Sequence, residues 1–385
     1  MNVLLLSRYV SAEVGGGEYV HALIAELLAK NGHKVWIITN KVEGISNPKH
    51  ENIKYHFVGY HDVKRIKKQK QLEKIKFNLS AIRAGLSIIK QEKIDVIHSN
   101  PLQPVLTGAV LSILTSVPHI IALHDIAILK KEYLDEWAKI KGNSKLKAKI
   151  GFFITSFIYK LHYSAIHTVS ESVKDDLIQW GVKKPIFVIP NAIPIIKSLD
   201  LPTNPLQFVY VGRLVFYKNV QVAIKAIKIV KESFPDVKLI IIGEGTYKKN
   251  LQTLVDQLDL KNNIIFKGQV SDSEKIHTIA SSQAVVFPSY YEGFGMVILE
   301  SFMQKKPILV SNVRPSSDII KHQKTGWIIP VHDEREWSKC LEYILRNPEI
   351  VSKMGEYGRT ELEKVYNLET MENKILKMYE ELPKK

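Results

Sequence analysis

Residues Pro288–Glu300 read PSYYEGFGMVILE. The short apolar run Ala284–Phe287 precedes them, and helical periodicity spans Gly295–Gln304. The order is strand, loop, helix. Gly293 and Gly295 sit where the helix begins, and glycine there permits close backbone approach. The first N–H groups of a helix have no acceptor within it, so its start favours an anion. Glu292 lies in the loop, and Glu300 follows eight residues later. If that step were wholly helical it would span about 12 Å, enough for the two ends of an elongated ligand with an anionic middle. It is long for two carboxylates acting on one glycosidic bond, which stand roughly 5–9.5 Å apart. An ordinary strand–helix turn with two surface glutamates is the plain alternative, and the motif content favours a site.

The same unit recurs on both sides. Ile308–Val310 reads as a strand, Glu334–Leu345 as a helix, and residues 349–382 as helical. Phe208–Val211, Lys238–Ile242 and Ile264–Phe266 read as strands, with helical periodicity at Val220–Ser233 and Lys248–Leu258. In the first half Val3–Leu6, Val35–Thr39, Ile94–His98, Ile120–Leu123 and Ala165–Val169 are short apolar runs. Tyr19–Lys30 is a helix stopped by Asn31-Gly32. Continuous apolar strands alternating with helices predict parallel sheets covered on both faces. Pro190, Pro194, Pro202 and Pro205 punctuate PNAIPIIKSLDLPTNP and mark a domain boundary. A chain of 385 residues calls for at least two cores. The expected architecture is α/β: two doubly wound, Rossmann-like domains facing across a central cleft, with ligands at the carboxyl ends of the strands.

Further loops carry cations and glycines. Gly212-Arg213-Leu214 through Lys218-Asn219 follows strand Phe208–Val211. Arginine offers phosphate a planar fork and lysine a mobile point charge. Beside a helix start, the two suit a diphosphate and the charge that develops as one departs. Val14-Gly15-Gly16-Gly17-Glu18 reads as a flexible loop after the first strand. It is not G-x-G-x-x-G, and no Walker signature occurs, so dinucleotide and P-loop readings are weak. His124-Asp125 follows strand Ile120–Leu123, where a histidine could meet a sugar hydroxyl. Gly243-Glu244-Gly245 reads first as a tight turn. Gly268-Gln269-Val270 follows Ile264–Phe266, where backbone groups could pair with a base edge. No Asp-x-Asp clip for nucleotide-bound magnesium and no zinc-like His/Cys spacing occurs. A site of arginine, lysine and a helix dipole is expected, with no metal and no cofactor.

Composition and charge bound the partners. A hydrophobic share of 45% excludes a disordered chain. The lone Cys340 excludes a disulfide framework and fits a reducing compartment. The net charge is +15, with +11 in residues 1–200 and +4 in residues 201–385. A basic first half suits an anionic partner. Nucleic acid would explain the charge but not Glu292, Glu300 and the glycine loops, and no recognition motif occurs, so none is expected. MNVLLLSRYV lacks the basic start of a signal peptide. Leu102–Leu123 is uncharged, but Pro104, Gly108 and Pro118 interrupt it. It reads as a helix followed by a strand, not as a membrane span. His61–Lys76 carries seven Lys/Arg, Lys67 and Lys68 among them, against two acidic residues. Val63, Ile66 and Ile75 lie in this stretch, which suits an anionic membrane surface or an anionic acceptor. In Lys139–Lys160 the residues Leu146, Ile150, Phe153 and Phe157 recur at helical spacing and read as core.

Together VGGGEYV, LHD at 123–125, VSES at 169–172, IPNAI at 189–193, YVGRLVFYKNV, IIGEGTY, FKGQV and EGFGMVILESFMQKKPILVS resemble the retaining family-four glycosyltransferases, over nearly the whole chain. The Glu-x7-Glu pattern in its glycine context is the most specific element. The resemblance implies a GT-B fold, with an acceptor-binding domain at 1–193, a linker at 194–206 and a nucleotide-sugar domain at 207–365. A terminal helix within 366–385 would cross back to the first domain. It implies a UDP- or GDP-sugar donor and a glycan or lipid-linked acceptor, at the cytoplasmic face of a membrane. Gly15 and Gly16 would approach the diphosphate or sugar, and Arg213 and Lys218 would bind the diphosphate. Glu292 would contact sugar hydroxyls, with Gly293, Phe294, Gly295, Met296 and Val297 holding sugar and phosphate through their backbone. Glu300 would take the ribose, Val270 would read the base, and His124 would lie by the reacting carbon. Ser170 and Asn191 would face the acceptor side. The leaving phosphate is thought to assist deprotonation of the acceptor on the same face. Where many relatives show Gly-Gly-x-Pro-Glu, Asn312–Asp318 reads NVRPSSD, which unsettles contacts in that loop. A sugar-nucleotide epimerase and a non-catalytic binder of sugar nucleotides or anionic polymers are the alternatives.

Overall fold

The computed structural model describes residues 1–11, 16–61, 71–101, 103–124, 149, 152–153, 156–158 and 160–382. Gly15, Lys67, Lys68, Asp125, Leu146 and Ile150 lie outside the described residues. The chain forms two units, Met1–Asn191 with Leu368–Lys385, and Ala192–Asn367.

The first unit holds seven parallel strands: β1 (Asn2–Leu6), β2 (Lys34–Val42), β3 (Ile53–His61), β4 (Val96–Ser99), β5 (His119–Leu123), β6 (Ala165–Thr168) and β7 (Ile186–Val188). Their order is β3-β2-β1-β4-β5-β6-β7. Its helices are α1 (Gly16–Lys30), α2 (Gln71–Glu92), α3 (Gln103–Thr115), α4 (Glu171–Gln179) and, from the end of the chain, α11 (Leu368–Glu380). Leu4 pairs in register with Trp36 on one side and Ile97 on the other. Leu4, Leu6, Trp36, Ile38 and Ile97 pack beneath Phe77, Ala81 and Leu111 of α2 and α3. Gly85 lets these helices approach, because a Cβ there would stand 2.5 Å from Leu111 Cδ1.

Several expectations change here. The glycine run is not a loop throughout, since α1 begins at Gly16. First-turn N–H groups need no acceptor within the helix, so glycine is tolerated there. Strand β3 escapes the apolar pattern because it is a half-exposed edge strand, IKYHFVGYH. The stripe expected in the core is at the surface where it is described: Phe153 and Phe157 are 69% and 66% exposed, and their neighbour Phe152 is buried instead.

The second unit holds β8 (Gln207–Val211), β9 (Lys238–Ile242), β10 (Ile264–Gly268), β11 (Ala284–Phe287), β12 (Ile308–Ser311) and β13 (Gly326–Ile329), all parallel, in the order β10-β9-β8-β11-β12-β13. Its helices are α5 (Val220–Val230), α6 (Lys248–Gln257), α7 (Asp272–Ala280), α8 (Met296–Met303), α9 (Glu334–Arg346) and α10 (Pro348–Val365). Phe208, Tyr210, Ile224, Leu239, Trp327 and Trp337 belong to one buried cluster. The helical pattern at 349–382 divides into α10 and α11, separated by Tyr366 and Asn367.

The loops after β8, β9 and β10 meet backbone to backbone. Gly212 N–H donates to the Ile242 carbonyl at 3.0 Å, Leu214 N–H to Glu244 at 2.9 Å, and Gly243 N–H to Gly268 at 2.7 Å. A Cβ on Gly243 would stand 1.9 Å from the Gly212 carbonyl oxygen, and one on Gly245 would stand 2.1 Å from that of Leu214. With φ at +136°, Gly243 also holds a backbone that side chains resist. Gly243→Ala should cost more than about 2 kcal/mol, read as a lower urea midpoint at unchanged slope.

Burial shapes the first unit's response to acid. Its interior pushes His119 down to about 4, His124 to about 3 and His167 to about 4, and moves His21 and His98 the same way. An unfolded histidine takes its proton near pH 6.5. Between pH 6.5 and about 4 the unfolded chain therefore binds more protons, and stability that is complete above 6.5 is lost as pH falls. At pH 5.0 each such histidine withdraws on the order of 2 kcal/mol. His277, His322 and His332 of the second unit are exposed. Hydrogen exchange corrected for intrinsic rates should show protection at β4–β6 falling at least tenfold more than at β8–β11 between pH 7.5 and 5.0.

Candidate functional site

In the second unit the strand order reverses between β8 and β11. Open α/β sheets bind ligands beyond the carboxyl ends of the strands at such a switch point. Two loops emerge there, 212–219 from β8 and 288–295 from β11. Tyr290 N–H donates to the Tyr217 carbonyl at 2.8 Å and ties them together.

Lys218 closes the 3₁₀ turn Phe216–Lys218. Asn219 then adopts φ +53° and donates through Nδ2 to the Val331 carbonyl at 2.8 Å, which fixes the entry to α5. The turn buries Lys218 to 7% exposure. Its ammonium is ion-paired to the Glu292 carboxylate and lies 5.3 Å from the Phe287 ring centroid. A buried ammonium needs such a partner, since unpaired it would cost several kcal/mol. Arg213 is exposed, and its guanidinium donates to the Tyr217 hydroxyl at 2.8 Å. Lys218 and Glu292 are thus brought together, with Arg213 bonded to Tyr217 on the same loop.

The α8 helix begins beside Glu292. Gly295 at its N-cap has φ +92° and no side chain with which to cap it. Glycine is suited to this site, because a Cβ would press on Phe287 at 3.1 Å and Ile298 at 3.0 Å. This left-handed break means that the step from Glu292 to Glu300 is not wholly helical. Only its second half lies in α8, so the 12 Å estimate does not hold. Phe294 is buried, edge-on to Tyr366 with ring centroids 6.2 Å apart. Its side chain anchors the loop. Met296 and Val297 supply the first turn of α8.

Glu300 accepts from Lys275 of α7 at 2.8 Å, and Lys275 also meets Asp272 at 3.0 Å. Burial works against the lysine's charge, yet Glu300 and Asp272 hold it above its ordinary value. Val270, half-buried, follows the turn at Gly268.

In the first unit the order reverses between β1 and β4. Gly16 and Gly17 start α1 there, Asn100 follows β4, and His124 follows β5. Asn100 donates to Ser7 Oγ at 3.1 Å and to the Gly17 carbonyl at 3.5 Å. Its Oδ1 is buried without a hydrogen-bond partner, as are both ring nitrogens of His124. A Cβ on Gly17 would lie 3.8 Å from that Oδ1 and 3.9 Å from His124 Cδ2. Three elements therefore converge on partnerless polar atoms. Ser170 Oγ caps α4, accepting from Val173 N–H at 3.2 Å. Asn191 is buried, with a partnerless Oδ1.

Sequence reasoning passed over Asn100 and Lys275, and named Asn219 without giving it a role. The signal for Asn100 was a polar residue directly after an apolar strand, and for Lys275 a Ser-capped acidic first turn at Ser271–Glu274. Among the described residues, no group of three His, Cys, Asp or Glu is placed to hold a metal ion.

Two family models match adjoining parts of the chain: glycosyltransferase family 4 over residues 14–196 and glycosyl transferases group 1 over residues 193–361. An uncharacterized glycosyltransferase of Methanocaldococcus jannaschii, MJ1607, is 28% identical over 86% of this chain and 85% of its own. The D-rhamnosyltransferase WbpZ of Pseudomonas aeruginosa is 24% identical over 90% of this chain and 87% of its own. Among solved structures, sucrose-phosphate synthase from Thermosynechococcus elongatus aligns at TM-score 0.80 with 18% identity, covering 98% of both chains. Anabaena HepE in complex with UDP and glucose aligns at 0.77 with 17% identity, covering 99% of both. The two switch-point sites, the family models spanning both units and the shared fold agree: the chain belongs to the family-four-type glycosyltransferases of GT-B fold.

Proposed function

We propose that this protein moves a sugar from a UDP- or GDP-sugar to a glycan or lipid-linked acceptor, with retention at the anomeric carbon and without a metal. The Lys218–Glu292 pair at the switch point, beside the uncapped start of α8, carries the reading. A sugar diphosphate entering there offers Lys218 a stronger partner and frees Glu292 for sugar hydroxyls. Arg213 and the first N–H groups of α8 add stabilisation as charge develops on the leaving diphosphate. Glu300 accepts from the ribose, steadied by Lys275, and the backbone at Val270 meets the base.

His124 stays neutral, since burial and then His167 hold it at about 3. It therefore serves as a hydrogen-bonding imidazole, not as a proton carrier near neutrality. With no enzymatic nucleophile in this scheme, the departing phosphate takes the acceptor proton on the same face, and the protein contributes position and charge. Related names support the donor class: HepE is described with UDP-glucose, and Staphylococcus aureus TarM with UDP.

A thermal-shift screen over nucleotide sugars should find a stabilising donor. Lys218→Ala and Glu292→Ala should each lower transfer by about 10²-fold or more while circular dichroism remains native. Glu300→Ala should weaken calorimetric binding of the free nucleotide diphosphate by roughly tenfold, the loss of one charged hydrogen bond. EDTA should leave the rate unchanged. Near wild-type turnover in both site variants would refute the site, and conversion of the donor with no acceptor present would indicate an epimerase.

We also propose a peripheral place on the cytoplasmic face of a membrane. No helix among the described residues is long and apolar enough to cross one. The support is the basic segment His61–Lys76 and the exposed apolar residues at and just after its end: Ile75 and Leu79 are 56% and 64% exposed on the first turns of α2. Basic charge beside exposed apolar side chains suits an anionic bilayer surface. The protein should float with phosphatidylglycerol vesicles and lose much of that binding when Lys67→Glu is combined with Lys68→Glu. Unchanged flotation would remove this segment from the role.

A further inference from the structure

Three buried side chains of the first unit have no part in the chemistry above: His98 on β4, His167 on β6 and Tyr379 on α11. They are 0%, 1% and 2% exposed. The Tyr379 hydroxyl lies 2.8 Å from His98 Nδ1. His98 Nε2 lies 3.4 Å from His167 Nδ1, and His167 Nε2 lies 3.4 Å from the Ile189 carbonyl.

Burial keeps both imidazoles neutral, so each carries one N–H. A carbonyl oxygen can only accept. His167 must therefore hold its hydrogen on Nε2, which leaves Nδ1 as an acceptor. His98 must then hold its hydrogen on Nε2 in turn, and its Nδ1 accepts from the tyrosine. Burial raises the phenol's pKa, so the hydroxyl remains a donor. Only this arrangement of hydrogens satisfies all three bonds. Donation runs one way, from α11 through β4 and β6 to the chain after β7. Any other tautomer would set two N–H groups or two lone pairs against each other in the interior.

The relay ends in a wall for His124. The rings of His124 and His167 stand 6.1 Å apart at 67°, edge to face. Neither nitrogen of His124 is hydrogen-bonded, so packing alone orients its ring. A ring held in this way is placed only as well as the wall beside it. We propose that the Tyr379–His98–His167 relay positions His124 for glycosyl transfer, which makes Tyr379 and His98 positioning residues that do not touch the reacting atoms. The proposal rests on the transferase reading of His124.

The test uses the intact chain with ¹⁵N-labelled histidine. Without ligand, the imidazole spectrum should show His98 and His167 both protonated at Nε2. Tyr379→Phe keeps the ring and removes one hydroxyl, so His98 should shift toward mixed tautomers. The same variant should lower kcat by about tenfold, one lost buried hydrogen bond, and leave KM for the sugar nucleotide within about twofold. In a His124→Ala background it should lower kcat no further, because it acts through that ring. Additive losses in the double variant, or a proton on His98 Nδ1, would overturn the proposal. If Tyr379→Phe does not fold, the wild-type spectrum alone still decides the tautomers. If no donor is turned over, the positioning role falls with the transferase reading, whereas an intact spectrum would show the relay itself standing.

Discussion

A parallel strand buried on both faces has no room for a charge. In β1, β8 and β11 the side chains are apolar or aromatic almost throughout, and the polar pair His98 and Ser99 of β4 is buried without a charge. Chemistry must therefore wait for the residues just past each carboxyl end, and the two switch points decide which ends are neighbours. Lys218, Glu292, Gly17, Asn100 and His124 all occupy such places. The sites follow from the sheets, and the sheets follow from the need to cover short apolar runs on both sides.

The two sites answer this constraint differently. In the second unit a buried lysine is matched with a glutamate, so the charge is in place before any ligand arrives. That is preorganisation, and removing either partner strands the other in a poor environment. In the first unit the polar atoms are neutral and partnerless, with Asn100 aimed by Ser7 and the Gly17 carbonyl. A neutral imidazole and an amide oxygen suit hydroxyl groups better than a full charge. The division fits the proposal that a charged donor is held by the second unit.

What was legible in the sequence was local. Strands such as Lys238–Ile242 announce themselves because burial on both faces leaves a continuous apolar run. Glu292 and Gly295 are legible because a strand, a glycine loop and a helix succeed one another within a few residues. Strand β3 was not, since a half-exposed edge alternates instead of running apolar. Phe153 and Phe157 misled because helical spacing shows that a stripe exists but not what it faces. Lys275 with Glu300, and Tyr379 with His98, were beyond reach. These partners lie 25 and 281 residues apart, and nothing in the local pattern of either announces the other.

The chain leaves the first unit at Asn191, builds the whole of the second, and returns to the first at Leu368. Within the second unit the departing and returning segments touch, Ile193 N–H donating to the Tyr366 carbonyl at 3.3 Å. The second unit is thus an insertion with adjacent ends, complete as soon as its own residues have emerged from the ribosome. The first unit begins earlier and finishes later. Its sheet must persist without Tyr379 until Leu368–Glu380 has been made, so a nascent chain can hold the second unit whole while the first still lacks this helix.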